Sequence, residues 1–143
     1  MIVLHQHIPM QLRISCIDKV VFEWEVKEVT LPTEIGDVKI LPWHTPMVTA
    51  LKPWILSINQ EKKWETSISI GKWMVFVDGK IIRIATSSAT TKANESKEDL
   101  EKKKYKLEEY IKELRKKWSI EKIEETLIQL EKINADLKLK KLK

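Results

Sequence analysis

VTLPTEIGDVKILPWHTPMVTALKP, residues Val29 to Pro53, strings β-type segments between prolines and short polar turns. Its spacing predicts a half-buried strand, a tight Thr33-Glu34-Ile35-Gly36-Asp37 turn and a second strand ending at Leu41-Pro42. Pro42, Pro46 and Pro53 then recur every few residues. Proline offers no N–H to a ladder, so each marks a strand end, an edge or a turn. A chain punctuated in this way changes sheets repeatedly.

The pattern continues on both sides. Leu12 to Cys16, Val20 to Phe22, Val26 to Leu31, Val38 to Leu41, Met47 to Leu51 and Ile55 to Ile58 read as short strands, as do Thr66 to Ile70, Met74 to Val77 and Ile81 to Ala85. Asp78-Gly79 between the last two is a two-residue hairpin signal. Short strands at even spacing read as a sandwich or barrel.

After Ser87 the period changes. Ser96 with Asp99 forms a capping pair that opens a helix. Leu100, Leu107, Ile111 and Leu114 fall on one face; Ile120, Ile123, Leu127, Leu130, Ile133 and Leu137 do the same in a second helix. The short break at Lys117-Trp118-Ser119 makes the pair an antiparallel hairpin. The expected division is an extension over residues 1–9, a β-domain over 10–88 and a hairpin over 89–143, with helices at about 96–117 and 119–140.

Charge separates the halves. Residues 1–91 carry ten basic and nine acidic side chains; residues 92–143 carry sixteen and twelve. Interleaved signs read as a solvated helix face rather than a nucleic-acid stripe. Cys16 is the only cysteine, which excludes an internal disulfide and suggests an intracellular setting. No apolar run approaches the roughly 20 residues of a membrane span.

The Val29–Pro53 stretch resembles the epsilon subunit of F-type ATP synthases, called delta in mitochondria. That family reads V-T-L-P-T-E-x-G-x-x-G-I-L-P-G-H-x-P-x-V-T-x-L-K-P-G. Thr30 to Glu34, apart from nothing between them, match it, as do Gly36, Ile40, Leu41, Pro42, His44, Pro46, Val48, Thr49, Leu51, Lys52 and Pro53. The resemblance extends more weakly from about Gln11 to the C-terminus. It implies a ten-stranded β-sandwich followed by a helical hairpin, in a noncatalytic rotor subunit at the cytoplasmic face of the membrane. It implies binding to the gamma subunit and the c-ring, with the hairpin reaching the alpha and beta catalytic subunits and inhibiting ATP hydrolysis. Glu34, Gly36 and Asp37 fall on the family's c-ring-facing loop. Pro42, His44 and Pro46 fall on a structural or interface turn.

The tryptophans sit oddly. There are six, beside three glycines. Trp24, Trp43, Trp54 and Trp73 stand where the resembled family has glycine. Trp118 occupies the helix-hairpin turn, where a terminating glycine adopts positive φ. Trp64 follows Glu61-Lys62-Lys63 in an expected hairpin loop. A bulky residue at positive φ is disfavoured. These positions are expected to be glycines: the source would read the UGA codon as glycine, and the tryptophans would come from decoding that codon as tryptophan. The bland reading makes them interface anchors.

Other signals are weaker. His5 and His7 would share a strand face, as metal ligands do. They precede Met10-Gln11-Leu12-Arg13-Ile14, which reads as a natural start, so no metal site is expected. The family's nucleotide motif, [I/L]-D-x-x-R-A, is matched in degenerate form by Leu100, Glu101 and Lys104, with Tyr105 in place of alanine. Lysine lacks arginine's planar fork, which weakens the match; no cofactor is expected, with ATP binding at the degenerate motif left open. Two rival functions remain: a basic helical nucleic-acid module, and a small hydrolase using His44 with Glu34 or Asp37. Interleaved carboxylates oppose the first; the second lacks a nucleophile at motif spacing.

Overall fold

The computed structural model describes residues 10–61, 63–91 and 95–142. Ten strands precede two helices: β1 (Met10–Ser15), β2 (Val20–Val26), β3 (Glu28–Thr33), β4 (Gly36–Ile40), β5 (Met47–Leu51), β6 (Trp54–Gln60), β7 (Lys63–Ile70), β8 (Trp73–Val77), β9 (Ile81–Thr86), β10 (Ala89–Thr90), α1 (Lys97–Lys116) and α2 (Ile120–Lys141). The ladder order is β10-β7-β6-β3-β5-β8-β9-β1-β2, with β4 on β3. Only β1 and β9, among the described residues, pair in parallel. The sheet curls into a sandwich close to a barrel.

β3 is where the chain changes layers. Glu28 to Thr30 pair with β6, whereas Thr33 pairs with Leu51 of β5. The proline-punctuated segment therefore bridges the two layers, as its sequence predicts. Period-two alternation supplies the core. Met10, Leu12 and Ile14 point inward while Gln11 and Arg13 face solvent. They join Val29, Leu31, Leu51, Leu56, Ile58, Ile68, Ile70, Ile82 and Ile84 in one buried cluster. The sheet runs past the expected boundary at residue 88, because Ala89 and Thr90 pair with Ile70 and Ser69.

The helices form the expected hairpin. Ser96 Oγ accepts from the Asp99 N–H at 3.1 Å, as the capping pair requires. α2 packs on α1 and also on β6 and β7. This dual contact corrects the expected stripe. The buried residues of α2 are Thr126, Ala135 and Leu139, not the predicted set. Ile123, Leu130, Ile133 and Leu137 are half-buried, and Ile120 and Leu127 are exposed. A helix wedged between two neighbours buries more than one stripe, and small Ala135 allows close approach.

The β8–β9 turn is also shifted from expectation. Asp78 N–H donates to the Ile81 carbonyl, so Gly79-Lys80, not Asp78-Gly79, is the central pair. Gly79 takes the required positive φ of 97°.

Candidate functional site

Three regions stand out. The first is the β3–β4 hairpin tip. Thr33 pairs with Gly36, leaving Glu34 and Ile35 as the loop. Thr33 Oγ1 donates to the Gly36 carbonyl at 2.5 Å, and Gly36 holds φ 116°. Glu34, Ile35, Gly36 and Asp37 are all exposed. Ile35, which motif matching passed over, is 83% exposed, so the tip offers an apolar knob between two carboxylates.

The second is the Leu41–Pro46 connection. Its Trp43 N–H donates to the Gly79 carbonyl at 3.0 Å, tying it to the β8–β9 turn. Asp78 braces that turn. Its carboxylate accepts from the Ile81 and Lys80 N–H groups at 2.8 and 3.1 Å, which holds its pKa below the ordinary value. His44 Nδ1 lies 2.7 Å from the Thr45 carbonyl and so carries the proton it donates there. Beyond the Glu34–Asp37 tip, β4 runs on through Val38, Lys39 and Ile40 before this connection begins. At ~3.3 Å per residue those three span roughly 10 Å. His44 therefore does not meet Glu34 or Asp37, and the hydrolase arrangement fails on geometry.

The third is the seam where the hairpin lies on the sandwich. A groove of about 320 Å³ is lined by residues that include Lys72, Leu100, Lys103, Lys132 and Asp136. Lys132 Nζ sits 2.6 Å from Asp136 Oδ1 and donates to Thr90 Oγ1 at 3.1 Å. Both charged side chains are mostly covered, at 15% and 17% exposure. Lys103 pairs with Glu95 at 2.5 Å. Of the degenerate nucleotide motif, Leu100 is buried, Lys104 half-buried and Glu101 exposed. The groove takes Leu100 but not Glu101 or Lys104 in its lining. Sequence reading missed Lys132 and Asp136; their i, i+4 spacing was the available signal. Elsewhere on the hairpin, Lys112 lies 3.1 Å from Glu109, which raises its pKa. That pairing fits a solvated face.

The tryptophans divide. Trp43, Trp73 and Trp118 have φ of 67°, 152° and 56°. Trp24 pairs with Leu12 inside β2, and Trp54 pairs with Ile70 at the start of β6. Neither has the positive φ that a required glycine would imply. Trp64 falls on β7 rather than in a loop, because Lys63 already pairs with Gln60. His5 and His7, with the rest of residues 1–9, lie outside the described residues.

Residues 3–92 match the family model described as the ATP synthase, Delta/Epsilon chain, beta-sandwich domain. The chain belongs to the ATP synthase delta/epsilon family. Its curated relatives include the ATP synthase epsilon chain of Rippkaea orientalis, 30% identical over 90 residues, covering 63% of this chain and 65% of that one. The match thus spans just under two thirds of that relative's length. The epsilon chain of Bordetella petrii is 26% identical over 121 residues, covering 85% and 86%. Among solved structures, a chain of the Euglena gracilis mitochondrial ATP synthase, OSCP/F1/c-ring assembly, superposes with a TM-score of 0.75 at 19% identity. That alignment covers 90% of this chain and 79% of the other, so the shared fold extends beyond the sandwich.

Proposed function

We propose that this chain is the noncatalytic epsilon-type subunit of the central stalk of a proton-translocating F-type ATP synthase. The observation that carries the proposal is the delta/epsilon family match across residues 3–92, which takes in the whole ten-stranded sandwich. In this reading the sandwich binds gamma and the c-ring and turns with them. The Glu34–Asp37 tip meets the ring, Ile35 supplying apolar contact and the two carboxylates polar contact. The complex sits on the cytoplasmic face of the membrane, and this chain reaches the membrane only through it.

The hairpin is the regulatory part. Docked against β6 and β7 it leaves the catalytic sector free to turn over. Released, it extends along gamma, and its basic end meets acidic surfaces of the alpha and beta subunits. Such a switch needs two states separated by a small free-energy gap. The Lys132–Thr90 bond and the half-buried α2 stripe belong to the docked state. The nucleic-acid reading draws no comparable support, since the helices' cations are interleaved with carboxylates.

The test is purification of the ATP synthase from source membranes through its gamma subunit. This chain should be retained with gamma and the c-ring through washing at high salt. A complete, coupled complex lacking it would refute the proposal.

A further inference from the structure

Five described residues have φ in the left-handed half of backbone space: Gly36, Gly79, Trp43, Trp73 and Trp118. Glycine reaches that region without a steric penalty, asparagine and aspartate reach it occasionally, and bulky side chains are outliers there. The chain has only six tryptophans in 143 residues, yet they fill every such position that glycine does not. No asparagine or aspartate among the described residues takes one.

Local geometry at two of the three positions independently calls for glycine. In Leu41-Pro42-Trp43-His44, the His44 N–H donates to the Leu41 carbonyl at 3.1 Å, closing a β-turn. Proline at its second position and positive φ at its third make it type II, the turn that places glycine at the third residue. At the end of α1, the Ser119 N–H reaches the Leu114 carbonyl at 3.3 Å and the Trp118 N–H reaches Arg115 at 3.4 Å. With Lys117 as the C-cap, these are the two bonds of a Schellman motif. Trp118 stands at its left-handed position, which is ordinarily glycine. Trp73, at φ 152°, begins β8 in the mirror-β range that glycine alone visits freely.

The indole rings do not offset this strain by burial. Trp43, Trp73 and Trp118 are 61%, 60% and 86% exposed. Trp43 has Lys80 Nζ 5.5 Å from its ring centroid, a contact at an exposed site. We infer that residues 43, 73 and 118 are glycine in the protein the cell makes, each encoded by a UGA codon that a glycine-charged tRNA reads. The extended backbone at Trp24 and Trp54 accepts either residue, so the inference rests on the three left-handed positions. It is independent of the proposed function.

Two measurements test it together: sequencing of the gene, and peptide mass spectrometry of the chain purified from its own cells. TGA at codons 43, 73 and 118, with glycine in the corresponding peptides, is the expected result. Tryptophan at any of the three overturns the inference. A recombinant comparison gives a physical arm. The triple variant Trp43→Gly, Trp73→Gly, Trp118→Gly should melt at a higher temperature than the tryptophan chain, and an equal or lower Tm would count against it.

Discussion

Lys132 of α2 reaches across to Thr90 of β10, Nζ to Oγ1 at 3.1 Å, while holding Asp136 one helical turn away. This is a direct polar tie between the hairpin and the sandwich, and it is mostly shielded from water. Hydrogen bonds to charged groups contribute about 1.5–3 kcal/mol. Lys132→Met removes the tie, keeps the apolar stem and leaves Asp136 without its partner. The variant should exchange α2 amide hydrogens faster than wild type while the sandwich amides remain unchanged. In the assembled synthase it should lower ATP hydrolysis, because the hairpin leaves its docked position more often. Unaltered α2 exchange would mean that apolar packing alone holds the helix down.

The hairpin tip gives a positional prediction. Glu34 and Asp37 flank the exposed Ile35 at a two-residue turn that nothing among the described residues covers closely. Cysteine at either acidic position should crosslink to the polar loop of subunit c in assembled complexes. Ile35→Asp should weaken coupling without unfolding the sandwich, because the side chain contributes little to the core. Crosslinking to other subunits alone would relocate the ring contact.

The sandwich should fold without its helices. Its core cluster lies within residues 10–89, and β10 ends at Thr90. A piece spanning residues 10–91 should give a β-type circular dichroism spectrum and a cooperative melt. Leu31 is fully buried, so Leu31→Ala in the full chain should cost about 2–5 kcal/mol in denaturant unfolding. Ending the piece at residue 88 removes β10 and should lower its midpoint, since β7 then loses an edge partner.

Asp78 adds a pH-dependent contribution. Its folded pKa is depressed, first by the Ile81 N–H and then by the Lys80 N–H. The sign follows directly: the unfolded chain binds the proton more tightly, so the stabilisation is present above the ordinary carboxylate pKa. It fades as the pH falls through the folded value. Asp78→Asn should therefore lower Tm at neutral pH and lose that difference as the pH falls through the depressed folded pKa. The carboxylate is fully exposed, so the effect is small; a difference that grew on acidification would contradict this assignment.

Much of this architecture is written in local pattern. Alternation at Gln11 to Ile14 and at Leu56 to Gln60 marks strands because the sheet has one wet face. Ser96 and Asp99 mark the start of α1 because an N-cap needs only neighbours in sequence. The second helix was harder to read. Ile120 and Leu127 continue an apolar period yet face solvent, whereas Ala135 and Leu139 are buried, because α2 answers to a sheet as well as to α1. Periodicity finds a stripe but cannot say which of two neighbours takes it. The Lys132–Thr90 tie joins residues 42 apart, so no local signal announces it. Asp78-Gly79 was displaced by one residue because the carboxylate serves as the turn's cap rather than as its centre.

The hairpin as a whole gives the last prediction. Half-buried Ile123, Leu130 and Leu137 can exchange α1 and the sandwich for another apolar surface at modest net cost. Basic Lys138, Lys140 and Lys141 crowd the final turn of α2, where cations also favour the helix dipole. Deleting residues 119–143 removes both the apolar stripe and this cationic end. Because the core cluster lies wholly in the sandwich, the truncated chain should still assemble with gamma and the ring. ATP hydrolysis by the assembled complex should rise, with synthesis and proton coupling largely preserved. Lys132→Met and the deletion thus push hydrolysis in opposite directions, which separates a brake from a brace. A hairpin that only braces the sandwich would leave hydrolysis unchanged in both, at low and at high ATP.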